Sequence, residues 1–349
     1  MSLRELTLTD KLFYNKSVVL YGASDTGKSS VIKNALYLLK PFIFQGMVFA
    51  GNDDCFQAYC AMFPLPFIRR TISAEILQKI WDRQDILTSV YNKATDIKIL
   101  ISLCNKLPSN DLDEKINDLN DSKKRLIEIT ESKFNENRSK LKTLNSKINE
   151  KYKDILKNIY LKYININESY FNEIINDLDD NEKYSLKYRN LNPNFLLIID
   201  DMSTAIKKLK GSIFEEIFYQ GRHKYITLLL SLQDDKPLIS ELRKNASVNI
   251  FTTSQCTNAL FTRTSNSYDK SLISRALAAN KETFSSEKET FYKLIYIRKT
   301  DEFFKFMADT DIPSNFMFGS KSVIEYCNRI KSDSKIMDSN NQYYKYFKE

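Results

Sequence analysis

Eight residues, Gly22-Ala23-Ser24-Asp25-Thr26-Gly27-Lys28-Ser29, constrain this chain more than any other stretch of it. They fit GxxxxGK[ST], a pattern that is meaningful only between a buried strand and a helix. Both neighbours are legible. Val18 to Tyr21 is an apolar, partly β-branched run suited to a buried strand, and Ser30 to Lys40 has helical patterning. Glycine lets the backbone wrap tightly, so that successive N–H groups face phosphate oxygens. In such a loop, Gly22 through Ser30 cradle the phosphates, Lys28 reaches the β- and γ-phosphates, and the Ser29 hydroxyl coordinates Mg²⁺. The helix that follows adds the positive end of its dipole. The chain has only seven glycines, so two of them inside one short motif carry information.

A second element strengthens the first. Phe195-Leu196-Leu197-Ile198-Ile199 reads as a central parallel strand buried on both faces, and it ends in Asp200-Asp201. Carboxylates at the carboxyl end of such a strand lie where open α/β sheets bind ligands. Asp200 is expected to hold Mg²⁺, and Asp201 to act as base or orienter for an attacking water. Further on, Tyr225 to Leu232 reads as another buried strand ending at Gln233, whose amide can both donate and accept beside a γ-phosphate. Pro237 to Asn245 reads as a short helix and Val248 to Thr252 as a strand. Phe291 to Ile297 then turns through Lys299-Thr300-Asp301 into Phe303 to Met307. Strands alternating with helices predict an α/β, P-loop NTPase fold: a mainly parallel sheet flanked by helices.

Between the two motifs the composition changes. Residues 109–190 contain neither Gly nor Pro, and Pro108 and Pro193 bracket them. Leu141, Leu144, Ile148, Tyr152, Ile155, Ile159, Tyr163, Ile166, Tyr170 and Ile174 recur every three or four residues, which predicts one apolar seam along a coiled-coil-like helix. A looser stripe through Ile116, Leu119, Leu126 and Phe134 predicts its partner in a helical hairpin, with the turn at Asn135 to Asn137. The organisation expected is therefore a first core segment 1–108, a helical insertion 109–190, a second core segment 191–310 and a C-terminal helical tail 311–349. The Tyr/Lys-rich stretch after Ser332 has two readings, a mobile tail or a docking segment for a partner.

Charge separates these parts. The chain has 52 Lys+Arg against 44 Asp+Glu, a formal net charge of +8. From Asn110 to Asn190 there are 16 of each sign, so the whole excess belongs to the remaining sequence. A positive excess on the core suits a polyanionic partner. Lys207, Lys208 and Lys210 form one local cluster, which is as well explained by a solvated helix face. Five scattered cysteines with no CxxC pair, and a single histidine, His223, offer no structural zinc site. They read as free thiols of a reducing compartment. The start lacks the apolar segment of a secretory signal, and no apolar run is long enough to span a membrane.

The loop Gly22 to Ser29, Ile199-Asp200-Asp201, Gly221-Arg222-His223, Ser231-Leu232-Gln233 and Leu242-Arg243-Lys244-Asn245 follow one another in an order that resembles one family. It is that of the poxvirus-type genome-packaging ATPases of nucleocytoplasmic large DNA viruses, in the FtsK–HerA superfamily. The resemblance covers roughly residues 10 to 70 and 190 to 300 and leaves the helical insertion unmatched. Two features depart from the family: the 172 positions from Lys28 to Asp200 are long, and Asp201 stands where Asp-Glu is common. The resemblance implies ATP and Mg²⁺ as cofactors, double-stranded DNA as substrate, a homo-oligomeric ring, and capsid or portal-vertex proteins as partners. It implies work in a virus factory of the host cytoplasm or in the virion. It also implies an arginine offered by one subunit to the γ-phosphate held by the next. Arg222 matches the motif position, Arg243 is the second candidate, and His223 reads as a local packing residue. Two other classes of function compete. One is a P-loop switch whose nucleotide state alters protein contacts made by the insertion. The other, a small-molecule kinase, is disfavoured because no arginine-rich lid is evident.

Overall fold

The apolar runs become one eight-stranded sheet. In the computed structural model, which describes residues 3–134, 138–285, 291–309, 311–313 and 315–332, the strands are β1 Ser17–Tyr21, β2 Gly46–Ala50, β3 Ile68–Arg69, β4 Phe195–Asp200, β5 Ile226–Leu232, β6 Val248–Phe251, β7 Tyr292–Ile297 and β8 Glu302–Met307. Their order is β3-β2-β4-β5-β1-β6-β7-β8. The first six are parallel, and β7 and β8 close the edge as an antiparallel hairpin. The expected mainly parallel α/β fold is therefore the observed one.

Alternation along each strand divides the core into two layers. Val19, Tyr21, Leu197, Ile199, Leu228 and Leu230 face one side, where the helices Ile213–Gln220, Ser254–Thr262 and Lys270–Phe284 cover them. Val18, Leu20, Leu196, Ile198, Leu229 and Ile250 face the other, under the helix Lys28–Leu39. Both faces being covered explains why these strands read as unbroken apolar runs. The short helix expected over Pro237 to Asn245 is observed at Ser240–Asn245. Residues expected to form a separate tail partly join this core: Ile312, Phe316 and Phe318 are buried in it, and Phe318 stacks on Phe63 with ring centroids 5.1 Å apart. The helix Lys321–Ser332 follows, and the Tyr/Lys-rich stretch after it lies outside the described residues.

The chain divides into two compact units, Met1–Asp85 with Asn192–Glu349, and Ile86–Leu191. The second unit takes in more than the expected 109–190 insertion. Its core joins Leu100, Leu103 and Cys104, from the helix Ile97–Asn105, to Tyr160, Ile164 and Phe171. The helices Asn110–Phe134 and Arg138–Ile166 pack against each other as the expected hairpin, and the turn expected at Asn135 to Asn137 lies outside the described residues. The expected seam is half-buried from Leu141 to Tyr163 and is corrected at Ile166. Ile166 is 72% exposed, and the buried side chains at this end are Tyr160, Ile164 and Phe171. The helix stops at Ile166, but Ile159, Tyr163, Tyr170 and Ile174 all pack half-buried against one apolar cluster, and Tyr163 also donates a hydrogen bond to the Leu107 carbonyl, 2.7 Å away. Asp179 and Glu182 form a capping box at the helix Asp180–Tyr188, and Arg189 pairs with Glu168 at 2.7 Å. Phe171→Ala is expected to cost about 3–5 kcal/mol of unfolding free energy, whereas Ile166→Ala should cost less than about 0.5 kcal/mol. Urea denaturation followed by circular dichroism measures both, and equal losses would return Ile166 to the packed face.

Candidate nucleotide-binding site

Parallel register sets the height at which the loops leave the sheet. Tyr21, the last residue of β1, lies opposite Leu232 of β5 and Phe251 of β6, and Asp200 of β4 lies opposite Ser231. The segments that follow β1, β4, β5 and β6 therefore emerge side by side at the carboxyl edge.

The loop after β1 closes tightly. The Gly22 N–H donates to the Leu232 carbonyl at 3.1 Å, and a Cβ at Gly22 would stand 1.7 Å from Thr252 Oγ1. Only glycine fits there. Ala23, Ser24 and Asp25 form the exposed crest, with Asp25 at a positive φ of 60°. Thr26 donates to the Ala23 carbonyl at 2.8 Å, and its hydroxyl lies 2.5 Å from that of Thr252. Gly27, at φ 88°, caps the helix that begins with Lys28, Ser29 and Ser30. This left-handed residue is what turns a strand end into a helix start without a steric cost. Lys28 Nζ donates to the carbonyls of Gly22 and Ala23, 2.7 Å each, and an ammonium has a third donor besides.

The acidic pair occupies two environments. Asp200 is buried and accepts a hydrogen bond from the Tyr59 hydroxyl at 3.0 Å. Burial pushes its carboxyl above the ordinary range, against the lowering effects of the Ser231 and Tyr59 hydroxyls and the Lys28 charge; the Asp201 charge adds to the rise. A buried carboxylate beside a hydroxyl-bearing phosphate loop is suited to a hard divalent cation. Ser29 and Asp200 are the residues that would hold Mg²⁺, and the ion would supply charge compensation for the phosphates. Asp201 sits at φ 53°, a left-handed conformation that costs energy in a non-glycine residue. Its oxygens accept one hydrogen bond each, from Gln233 Nε2 at 2.8 Å and from Asn52 Nδ2 at 2.6 Å. Two amides thus hold the carboxylate, and lone pairs remain on it to receive a proton from water.

Several of these residues escaped the sequence reading. Asn52 caps the helix Asp53–Cys60, accepting from the Cys55 N–H at 2.8 Å while its amide donates to Asp201. Gly51 precedes it because a Cβ there would lie 2.1 Å from the Asp201 carbonyl oxygen. Lys293, buried on β7, lies against the loop: a Cβ on Gly27 would meet its Cε at 3.1 Å and its Nζ at 3.4 Å. Burial lowers the pKa of that ammonium. Cys55 stands beside the acidic pair, and burial together with the charges of Asp200 and Asp201 pushes its thiol up to about 11. All five cysteines are free thiols. For Asn52, a Gly-Asn pair after an apolar run was the available signal; Tyr59 and Lys293 offered none.

The arginine candidates are not brought to the loop of their own chain. Arg222 is exposed in the turn Gly221–Lys224, next to His223, at the amino end of β5. Arg243 is buried, donating to Asn266 Oδ1 at 2.9 Å and lying 3.4 Å from the Asp235 carboxylate, which also receives two 2.6 Å hydrogen bonds from Arg263. Lys207, Lys208 and Lys210 are exposed. No helix among the described residues is long and apolar enough to cross a membrane.

No family model matches the chain. It is 31% identical over 359 residues to protein B354L of African swine fever virus, covering 99% of this chain and 96% of that protein. Over 67 residues it is 37% identical to protein 075L of invertebrate iridescent virus 6, covering 19% of this chain and 26% of that one. Among solved structures, the genome-packaging NTPase B204 of Sulfolobus turreted icosahedral virus 2, bound to ATP-gammaS, aligns with a TM-score of 0.40 at 12% identity, over 83% of this chain and 96% of that chain. The plasmid coupling protein TrwB with ADP and Mg²⁺ aligns with a TM-score of 0.36 at 12% identity, over 91% and 93%. Structural likeness of this order carries no functional weight, and the fold stands on the strand order and the loop.

Two substitutions test the geometry. Because folding raises the Asp200 pKa, the folded chain holds that proton more tightly than the unfolded one. Stability is then lost as pH rises from the unfolded carboxylate value through the raised one. Asp200→Asn should remove this loss and raise the metal-free Tm at pH 7 while abolishing Mg²⁺-dependent hydrolysis; an unchanged or lower Tm would contradict the buried-charge account. Gly22→Ala should weaken binding of a fluorescent ATP analogue at least about tenfold, or roughly 1.4 kcal/mol. Adding Thr252→Ala should recover part of that affinity by removing the hydroxyl in the way.

Proposed function

The chain belongs to the family of African swine fever virus protein B354L, and we propose that it is an ATP-hydrolysing motor that moves double-stranded viral DNA into a capsid. One observation supports the ATPase half above the rest: the phosphate loop, the buried Asp200 and the doubly held Asp201 share the carboxyl edge of one sheet. Phosphoryl transfer asks a protein for positioning and electrostatics more than for covalent chemistry. In this reading the Gly22 to Ser30 backbone fixes the phosphates and the Lys28 ammonium follows the charge on the γ-phosphoryl group. Asp201, held by Asn52 and Gln233, orients the attacking water and takes its proton. Gln233 then links hydrolysis to the strand end that carries it, since loss of the γ-phosphate changes what Asp201 faces.

The DNA half rests on the order of the motifs and on the positive excess outside the neutral helical region. A ring of copies, each lending an arginine to the next, is part of the same reading. Arg222 is the better placed for that role, being exposed, whereas Arg243 is committed to Asp235 and Asn266 inside its own chain. Capsid or portal-vertex proteins are the partners it would meet, in a virus factory or a virion.

The ATPase rate is to be measured with and without long duplex DNA across a salt series. A motor should be stimulated, with the stimulation falling as salt rises; indifference to DNA would favour a switch acting on protein partners. Lys28→Ala should reduce hydrolysis by about 10²–10³-fold or more in either case. In rings mixing Arg222→Ala subunits with Lys28→Ala subunits, some hydrolysis should return if the arginine acts across the interface. Mixed rings that stay inactive would remove Arg222 from that role.

A further inference from the structure

The amino ends of the strands carry a second concave site, at the edge of the sheet opposite the phosphate loop. A cavity of about 570 Å³ lies among the residues before β1, the residue before β6 and the turn that joins β7 to β8. Lys16, Arg298 and Lys299 line it from two of these segments, and Arg222 contributes a fourth cation. None of its lining residues is Asp or Glu. Asp301, which closes the same turn, is engaged elsewhere, accepting a 2.6 Å hydrogen bond from the Tyr296 hydroxyl.

This arrangement favours an anion. Lys16 is half-buried, and both its burial and the Lys299 charge depress its pKa. Like charges gathered over a shared concavity repel unless a counter-charge enters between them. Local hydrogen bonds position the cations without neutralising them. Lys16 donates to the Lys11 carbonyl, and the Arg298 guanidinium donates to Asn245 Oδ1 at 2.5 Å, both neutral acceptors. Ser247 and Thr300 add hydroxyl groups to the same wall. Cations with neutral donors around them, and no carboxylate, are the composition of a phosphate-binding surface. Arg298 and Lys299 are exposed on a turn, so a long polyanion can pass across the mouth without being enclosed.

We infer that this cavity binds backbone phosphates of duplex DNA through Lys16, Arg298 and Lys299, at the edge of the sheet opposite this chain's own phosphate loop. The inference rests on the DNA-motor reading above, and it deepens that reading by naming where the duplex touches. Lys16, Arg298 and Lys299 would take up neighbouring phosphates and release their counterions, giving salt-sensitive, sequence-independent attachment.

The test uses the full chain and a fluorescent duplex, titrated by anisotropy between low and moderate salt. Lys299→Ala and the double variant Lys16→Gln/Lys299→Ala are compared with the wild type. Affinity should fall stepwise, and the slope of log K against log salt should flatten by about 0.9 for each phosphate that is no longer neutralised. DNA-independent hydrolysis and nucleotide affinity should stay at wild-type values, which also reports that the variants fold. Lys299 is exposed, so its variant remains informative if the Lys16 change disturbs the core. A wild type that binds duplex while both variants bind with unchanged affinity and slope overturns the cavity and leaves the motor reading standing. A wild type that binds no duplex overturns both. Inorganic tripolyphosphate forms the last arm. If these cations bind it but their removal leaves duplex binding intact, the site is for free phosphates and the inference fails.

Discussion

Hydrogen bonding on both sides of β1 is the constraint from which the rest follows. β5 pairs along one edge of it and β6 along the other, both parallel, although they arrive some 200 residues later. Because the register is fixed, the turn after Tyr21 has no freedom in height or direction. It must rise between Leu232 and Thr252, and the gap admits no Cβ at Gly22. The loop takes its shape from these neighbours as much as from its own glycines. Asp200 and Asp201 then reach it because β4 pairs in the same register with β5.

The two aspartates show how neighbouring residues acquire different chemistry. Asp200 still belongs to the strand, so its side chain points into a packed layer, where desolvation dominates its ionisation. Asp201 has left the strand, adopts a left-handed backbone and is gripped by amides from two other segments. The first suits a metal and the second suits a water. A methylene shorter than glutamate, Asp201 relies on Asn52 and Gln233 for its placement, and Gly51 and the helix cap at Asn52 hold that arrangement from below.

Much of this was legible from the residues alone. Strands buried on both faces announce themselves as apolar runs, so β1, β4, β5 and β6 are legible, the half-buried hairpin β7–β8 is legible from its aromatic runs and turn, and the GxxxxGK[ST] spacing specifies its own surroundings. What escaped was whatever acts across long sequence distances: Tyr59 on Asp200, Thr252 on Gly22, Lys293 beside Gly27. No local pattern marks a residue whose importance comes from where another strand happens to lie. The helical seam missed Ile166 for a related reason. Periodicity fixes a face but not its partner, and the packed face at the end of the long helix turns to Tyr160 and Ile164. The β2–β3 edge is a different case, since a strand of two residues leaves almost no pattern to read.

Lys293 has a consequence for how the molecule comes into being. The phosphate loop is synthesised well before β7, yet the cation lying against its last glycine, Lys293, arrives only with that strand. β7 in turn is held in the sheet by β6 and β8. A nascent chain that has emerged only as far as Asn245 carries every residue of the recognisable motifs but lacks β6, β7 and the Lys293 that lies against Gly27. The loop of such a chain has neither its β6 neighbour nor that cation, so its final surroundings exist only once the closing hairpin has formed.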